Sequence, residues 1–171
     1  EDVFILDSFV GTEYISNPFL FKLEMRSSNI SISPSEIINT DVAIKILSAD
    51  TPSRFFHGVV ASFSQIGIDQ QFSYYTAEIV PRFWLLKLSQ SRAIYQNVSS
   101  LDIITSILEA FGVIVENRLT AAYVTREYCV QYDETYFDFV SRLLESEGIF
   151  YFFCFSQNEH KMVLADDPSS H

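Results

Sequence analysis

Basic residues are scarce. Lys and Arg number 11 against 22 Asp and Glu, for a formal net charge of -11. A protein that holds DNA or RNA by its phosphates needs clustered cations to displace their counterions. The balance therefore argues against a nucleic-acid partner, and against docking on an anionic membrane surface. Cysteine is nearly absent: Cys129 and Cys154 are the two, too few for a disulfide framework. Both lie in apolar strings, EYCVQY and YFFCFS, and read as buried reduced thiols. Long apolar runs are missing too. The longest, Ile149 to Phe155, has seven residues, whereas a membrane-spanning helix needs about 20. It reads as a buried strand, and stable membrane insertion of this chain is not expected. Charged residues make up only 19%, which argues against long disordered stretches. No secretory signal peptide is visible in the acidic start EDVFILDSF. The first residue is Glu1 and not Met, so the natural N-terminus is expected to lie upstream.

Apolar residues make up 48% of the 171 residues, enough for a core in one domain or two small ones. Phe (16) and Tyr (9) dominate the aromatics. Large rings fit a pleated, half-buried surface, so composition alone leans toward sheet. The first half carries strand patterns. PFLFKLEMRS puts Phe19, Phe21, Leu23 and Met25 on one face, with Leu20, Lys22, Glu24 and Arg26 on the other. VFILDSFVG and DVAIKIL also read as strands, with the turn-rich SSNISISPSEIINT between the second and third. RFFHGVVASFSQIGID and QFSYYTAEIVPRFWLL read as a long antiparallel hairpin turning near Asp69 and Gln70. Pro81 inside its second arm implies an edge position, a bulge or a break.

The second half alternates helix and strand. VSSLDIITSILEAFGV spaces Leu101, Ile104, Leu108 and Phe111 helically, with Ser99 as cap, Asp102 in the first turn and Gly112 as stop. DETYFDFVSRLLESEGI repeats the design with Thr135, Asp138 and Gly148, and with Phe137, Val140 and Leu144 as its stripe. A strand pair is expected around Val113–Glu116 and Glu127–Tyr132. IFYFFCF and HKMVLAD read as two closing strands with a turn at Ser156–Glu159. The composition shift near Gln96–Ser99 suggests domains at 1–96 and 97–171.

Catalytic spacings are missing: there is no GxSxG, HExxH, CxxC, GxGxxG or GxxxxGK[ST]. His57 reads as a structural or surface residue. His160, with Glu159 beside it and Asp166 and Asp167 a hairpin away, reads as part of a solvated turn and not as a metal ligand. Glu145 and Glu147 do not share a helix face, and Asp133 and Glu134 sit where a helix dipole favours acids. No catalytic, cofactor-binding or metal-ligating residue is assigned, and no cofactor is expected. These features alone describe an acidic, β-rich binding or structural domain.

Four strings are more specific: GTEYISNPFLFKLEMRS from Gly11, FFHGVV from Phe55, YYTAEIVPRFWLLKLSQSRAIYQ from Tyr74, and REYCVQYDETYFDFVSRLLESEGIFYFF from Arg126. In content, order and spacing they resemble the N-terminal region of VgrG, the valine–glycine repeat protein G of type VI secretion systems. The resemblance runs from near Phe4 to near Asp166. It departs at Tyr136, where the family usually has Asp, and at Phe83, where it usually has Leu. The resemblance implies a mainly β fold with an α+β part: a tube-protein-like antiparallel β-barrel over 1–96, then a small α/β domain. Family members continue into a second barrel and a β-helical needle, so this chain is expected to be a fragment.

The implied role is that of a structural hub in a contractile injection machine, with no enzymatic activity. The full-length subunit forms a homotrimer and docks the hexameric tube protein (haemolysin-coregulated protein) and baseplate proteins. The absent C-terminal part carries a PAAR-type tip and effectors. Assembly in the bacterial cytoplasm and export to the extracellular space or a target cell follow from the same likeness. The hub of a contractile phage tail or extracellular injection particle is the other reading. Aromatic and arginine side chains are favoured in interface cores. Arg82, Phe83, Trp84 and Arg92 are therefore candidate contact or domain-junction residues, with filling of the barrel core the competing role for Trp84.

Overall fold

Alternating apolar and polar residues become sheet through the first half of the chain, in a computed structural model that describes residues 3–47 and 52–170. The chain divides into two compact units. The first gathers Glu1–Tyr14, Pro18–Pro81 and Phe155–Glu159, and the second Ile15–Asn17, Arg82–Cys154 and His160–His171, as far as these are described.

The first unit is a five-stranded sheet of β1 (Ile5–Thr12), β2 (Leu20–Ser27), β3 (Asp41–Ile46), β4 (Arg54–Ile68) and β5 (Ser73–Val80), in the order β1-β2-β5-β4-β3. Every neighbouring pair is antiparallel. Period two decides which side chains go inside. On β2 Phe21 and Leu23 are buried while Lys22 and Glu24 face water, and on β5 Tyr75, Ala77 and Ile79 are buried. On the wet face Lys22 lies opposite Glu78, 3.5 Å away. The turn-rich stretch holds one helical turn, α1 (Pro34–Ile37).

The sheet is curled. Phe9 of β1 meets Phe56 of β4 with ring centroids 5.0 Å apart, and Glu13 reaches Arg54 at 3.6 Å, although β2 and β5 lie between these strands. Bulges at Leu6/Ser8, Val60/Ser62 and Gln65/Gly67 add twist. Phe19, Phe21, Phe56 and Phe155 line the concave side at 4.5–5.7 Å. Gly58 permits this closeness: a Cβ there would stand 2.6 Å from Ile79 Cγ2 and 2.8 Å from the Val80 carbonyl. Among the described residues no strand joins β1 to β3, so the barrel is a half-barrel with two open edges.

The β4–β5 hairpin turns where expected. Asp69 accepts from the N–H groups of Gln71 and Phe72 and from the Tyr74 hydroxyl, each at 2.7 Å. These bonds, the Phe72 amide first, hold its carboxyl below the usual range. The second arm does not stay extended to Leu86. Strand β5 ends at Val80, Pro81 breaks it, and Arg82–Leu88 form a 3-10 helix. Phe83 and Leu86 are three apart, so they share a face of this helix and are both buried.

The second unit contains β6 (Gln90–Ser99), α2 (Ser100–Ala110), β7 (Val115–Arg118), β8 (Thr125–Thr135), α3 (Tyr136–Glu147), β9 (Phe150–Phe155, all but its last residue) and β10 (His160–Ala165). Both helices start as their caps dictate. Ser99 Oγ accepts from the Asp102 N–H at 3.1 Å, and Thr135 Oγ1 from that of Asp138 at 3.0 Å. Gly148, at φ +70°, ends α3. The two strands expected between the helices form but do not pair with each other. Strand β7 pairs parallel with β10, and β8 antiparallel with β6.

The composition shift at Gln96–Ser99 falls inside β6, whereas the units part after Pro81. The cause is packing: Phe83 and Leu86 belong to one core with Ile104, Leu108, Phe139, Leu143 and Leu164.

Candidate functional site

The described histidines, His57 and His160, belong to different units. His57 lies on β4 opposite Ala43 of β3 in the first unit. His160, expected on a solvated turn, is buried. The turn Ser156–Glu159 precedes it, and strand β10 carries its ring inward against Phe153, where Nε2 accepts the Arg82 N–H at 3.3 Å. Asp166 braces the loop after β7. It accepts from the Ala121 N–H (2.8 Å), the Thr120 N–H (2.9 Å) and hydroxyl (3.0 Å), and the Tyr123 hydroxyl (2.8 Å). The Ala121 and Thr120 amides, above all, hold its pKa down to about 2. Burial, and then the bond to Asp166, push the Tyr123 hydroxyl up. Among the described residues no three His, Cys, Asp or Glu side chains are grouped to hold a metal.

Three of the other carboxylates singled out above are engaged by arginines: Asp133 by Arg92 (2.8 Å), Glu134 by Arg142 (2.6 Å) and Glu147 by Arg126 (2.6 Å). Cys129 is buried and Cys154 half-buried, both as free thiols.

The chemistry on offer is that of contact. Strands β6 and β8 form a two-stranded ribbon with two unlike faces. The inner face carries Tyr95, Cys129 and Gln131, with Tyr95 stacked on Phe139 of α3 at 5.6 Å. The outer face pairs Arg92 with Tyr132, Ile94 with Val130 and Gln96 with Tyr128. Ile94, Tyr128 and Tyr132 are 67%, 60% and 71% exposed, and Val130 is exposed too. One large apolar side chain in water is ordinary, but a contiguous set is a contact signal.

A bulge shapes one end of this face. Ser91 opposes Glu134 and Arg92 opposes Tyr132, which leaves Asp133 as the extra residue, at φ +53°. Its carboxylate takes two hydrogen bonds from Arg92, at 2.8 and 3.2 Å, while the guanidinium lies 5.5 Å from the Tyr132 ring centre. The first unit offers edges instead. Ile5, Leu6 and Val10 are exposed on β1, and Ile66 and Ile68 near the end of β4.

The four candidates from sequence do not form one surface. Phe83 is wholly covered (0% exposed) against Phe137 and Tyr151, within the core of the second unit. Arg82 and Trp84 are half-buried on the 3-10 helix, and Trp84 falls in the second unit, not in the barrel core. Arg92 is exposed on the ribbon. Sequence reasoning missed Ile94, Tyr128, Val130 and Tyr132. Their signal was available as alternation in EYCVQYD, where Tyr128, Val130 and Tyr132 are every second residue; SRAIYQ adds Ile94 between Arg92 and Gln96.

A curled antiparallel half-barrel followed by a small α/β unit is the architecture of a contractile-tail hub domain. Residues 12–171 match the family described as phage tail baseplate hub (GPD), and the chain belongs to that family. It is similar to the type VI secretion system spike proteins VgrG1a and VgrG1b of Pseudomonas aeruginosa, each 37% identical over 99% of this chain. The match occupies 27% and 23% of those proteins, so the chain spans about a quarter of their length. Among solved structures it resembles the Escherichia coli c3393 protein, described as a component of the type VI secretion system with structural similarity to the T4 bacteriophage tail proteins gp27 and gp5. The TM-score is 0.91 at 30% identity, over 98% of this chain and 47% of that one. A 43 kDa tail protein of prophage MuSo2 from Shewanella oneidensis shares the fold, with a TM-score of 0.55 at 13% identity over 95% of this chain and 53% of that one.

Proposed function

We propose that this chain is the hub region of a VgrG-type spike in a type VI secretion system, and that its role is structural and not enzymatic. The observation that carries the reading is 37% identity to a spike protein over 99% of the chain. The spike-protein description of the relatives supports the non-enzymatic part. In this reading the first unit is the tube-like barrel of the hub and the second the small α/β domain, with the division after Pro81 instead of Gln96.

The full-length product is a homotrimer that docks the hexameric tube protein and baseplate proteins. A PAAR-type tip and effectors attach through parts beyond this region. It assembles in the bacterial cytoplasm and is then exported to the extracellular space or a target cell. The outer ribbon face with Arg92, Ile94 and Tyr132 is its contact surface in the second unit, with Arg82 and Trp84 as further contact candidates.

Light scattering of the full-length gene product is expected to give a trimer, and deletion of the gene with its paralogues to stop export of the tube protein. A monomer at full length, or unimpaired export, would overturn the reading. The fold shared with a prophage tail protein keeps a phage-tail hub as the second reading. Gene neighbours separate the two: sheath, membrane-complex and recycling-ATPase genes favour secretion, and head and terminase genes favour a phage.

A further inference from the structure

We draw no further inference here: the strongest candidate outside the surfaces already described, the shallow groove of about 380 Å³ between α2 and β7 lined by Thr105, Glu109, Val113 and Val115, is an unpartnered surface, and nothing in the structure shows what covers it.

Discussion

In the first unit five strands curl until Phe9 reaches Phe56, yet among the described residues β1 and β3 have no further strand on their outer edges. In the second, a two-stranded ribbon puts one face on helix α3 and leaves the other to solvent. Both units leave strand edges and apolar side chains in solvent, but the second adds a whole ribbon face of large residues, Ile94, Tyr128, Val130 and Tyr132. An open edge offers N–H and C=O groups to any strand of matching length. An apolar face offers shape and selects its partner more narrowly. The cores differ as well. Stacked and tilted phenylalanines line the concave sheet, while the second core mixes Ile, Leu and Val from two helices with Phe83, Phe139, Tyr151 and Met162.

Removing one ring from either core tests that contrast hardest. Phe139→Ala deletes a side chain with no exposure and is expected to cost about 3–5 kcal/mol. Urea unfolding measures the loss, and hydrogen exchange should locate the faster amides in 82–154. Protection lost equally in the strands of the half-barrel would mean that the two cores act as one. Gly58→Ala probes the first unit alone. The added methyl would press on Ile79 and the Val80 carbonyl, so a loss of about 1–3 kcal/mol is expected. An unchanged midpoint would show that the curl has slack.

Thr135→Ala removes the cap of α3 and is expected to cost about 1 kcal/mol in the same unfolding experiment. Asp166 gives a pH test. Its folded pKa, about 2, lies below the ordinary 3.8, so its stabilising effect is present above pH 3.8 and is lost as pH falls toward 2. Asp166→Asn should flatten that part of the stability–pH curve and speed amide exchange at Thr120 and Ala121, whose N–H groups it holds. An unaltered curve would assign the acid sensitivity elsewhere. The smallest effect on stability, within about 0.5 kcal/mol, is expected for Ile94→Lys and Tyr132→Glu on the outer ribbon face. The proposed contact role predicts that both variants fold yet fail to restore export in a deletion strain. Full restoration would remove this face from the assembly surface.

Local chemistry was legible in the sequence, and distant pairing was not. Ser99 with Asp102, Thr135 with Asp138, and Gly148 each act within one helical turn, so the string itself contains the cause. The same holds for the alternation in β2 and for the Asp69 turn. The 3-10 helix after Pro81 could not be read locally, because burial of Phe83 and Leu86 against distant helices overrides the extended look of VPRFWLL. The parallel match of β7 with β10 and the inward turn of His160 also depend on remote contacts. Composition shifts over the last residues of β6, at Gln96–Ser99, while the compact units part after Pro81. On the candidate surface, Arg92 was singled out by residue type, whereas Ile94, Tyr128, Val130 and Tyr132 share its face only through the pairing of β6 with β8, two strands far apart in the chain.

The bulge at Asp133 has a further consequence. By engaging Arg92 on one side and leaving its guanidinium beside Tyr132, it restricts both side chains before any encounter takes place. Ordering a flexible side chain during association costs about 0.5–1.5 kcal/mol. Under the proposed contact role part of that loss would fall in folding, and a complex made through this corner is expected to dissociate more slowly than one built on freely rotating residues.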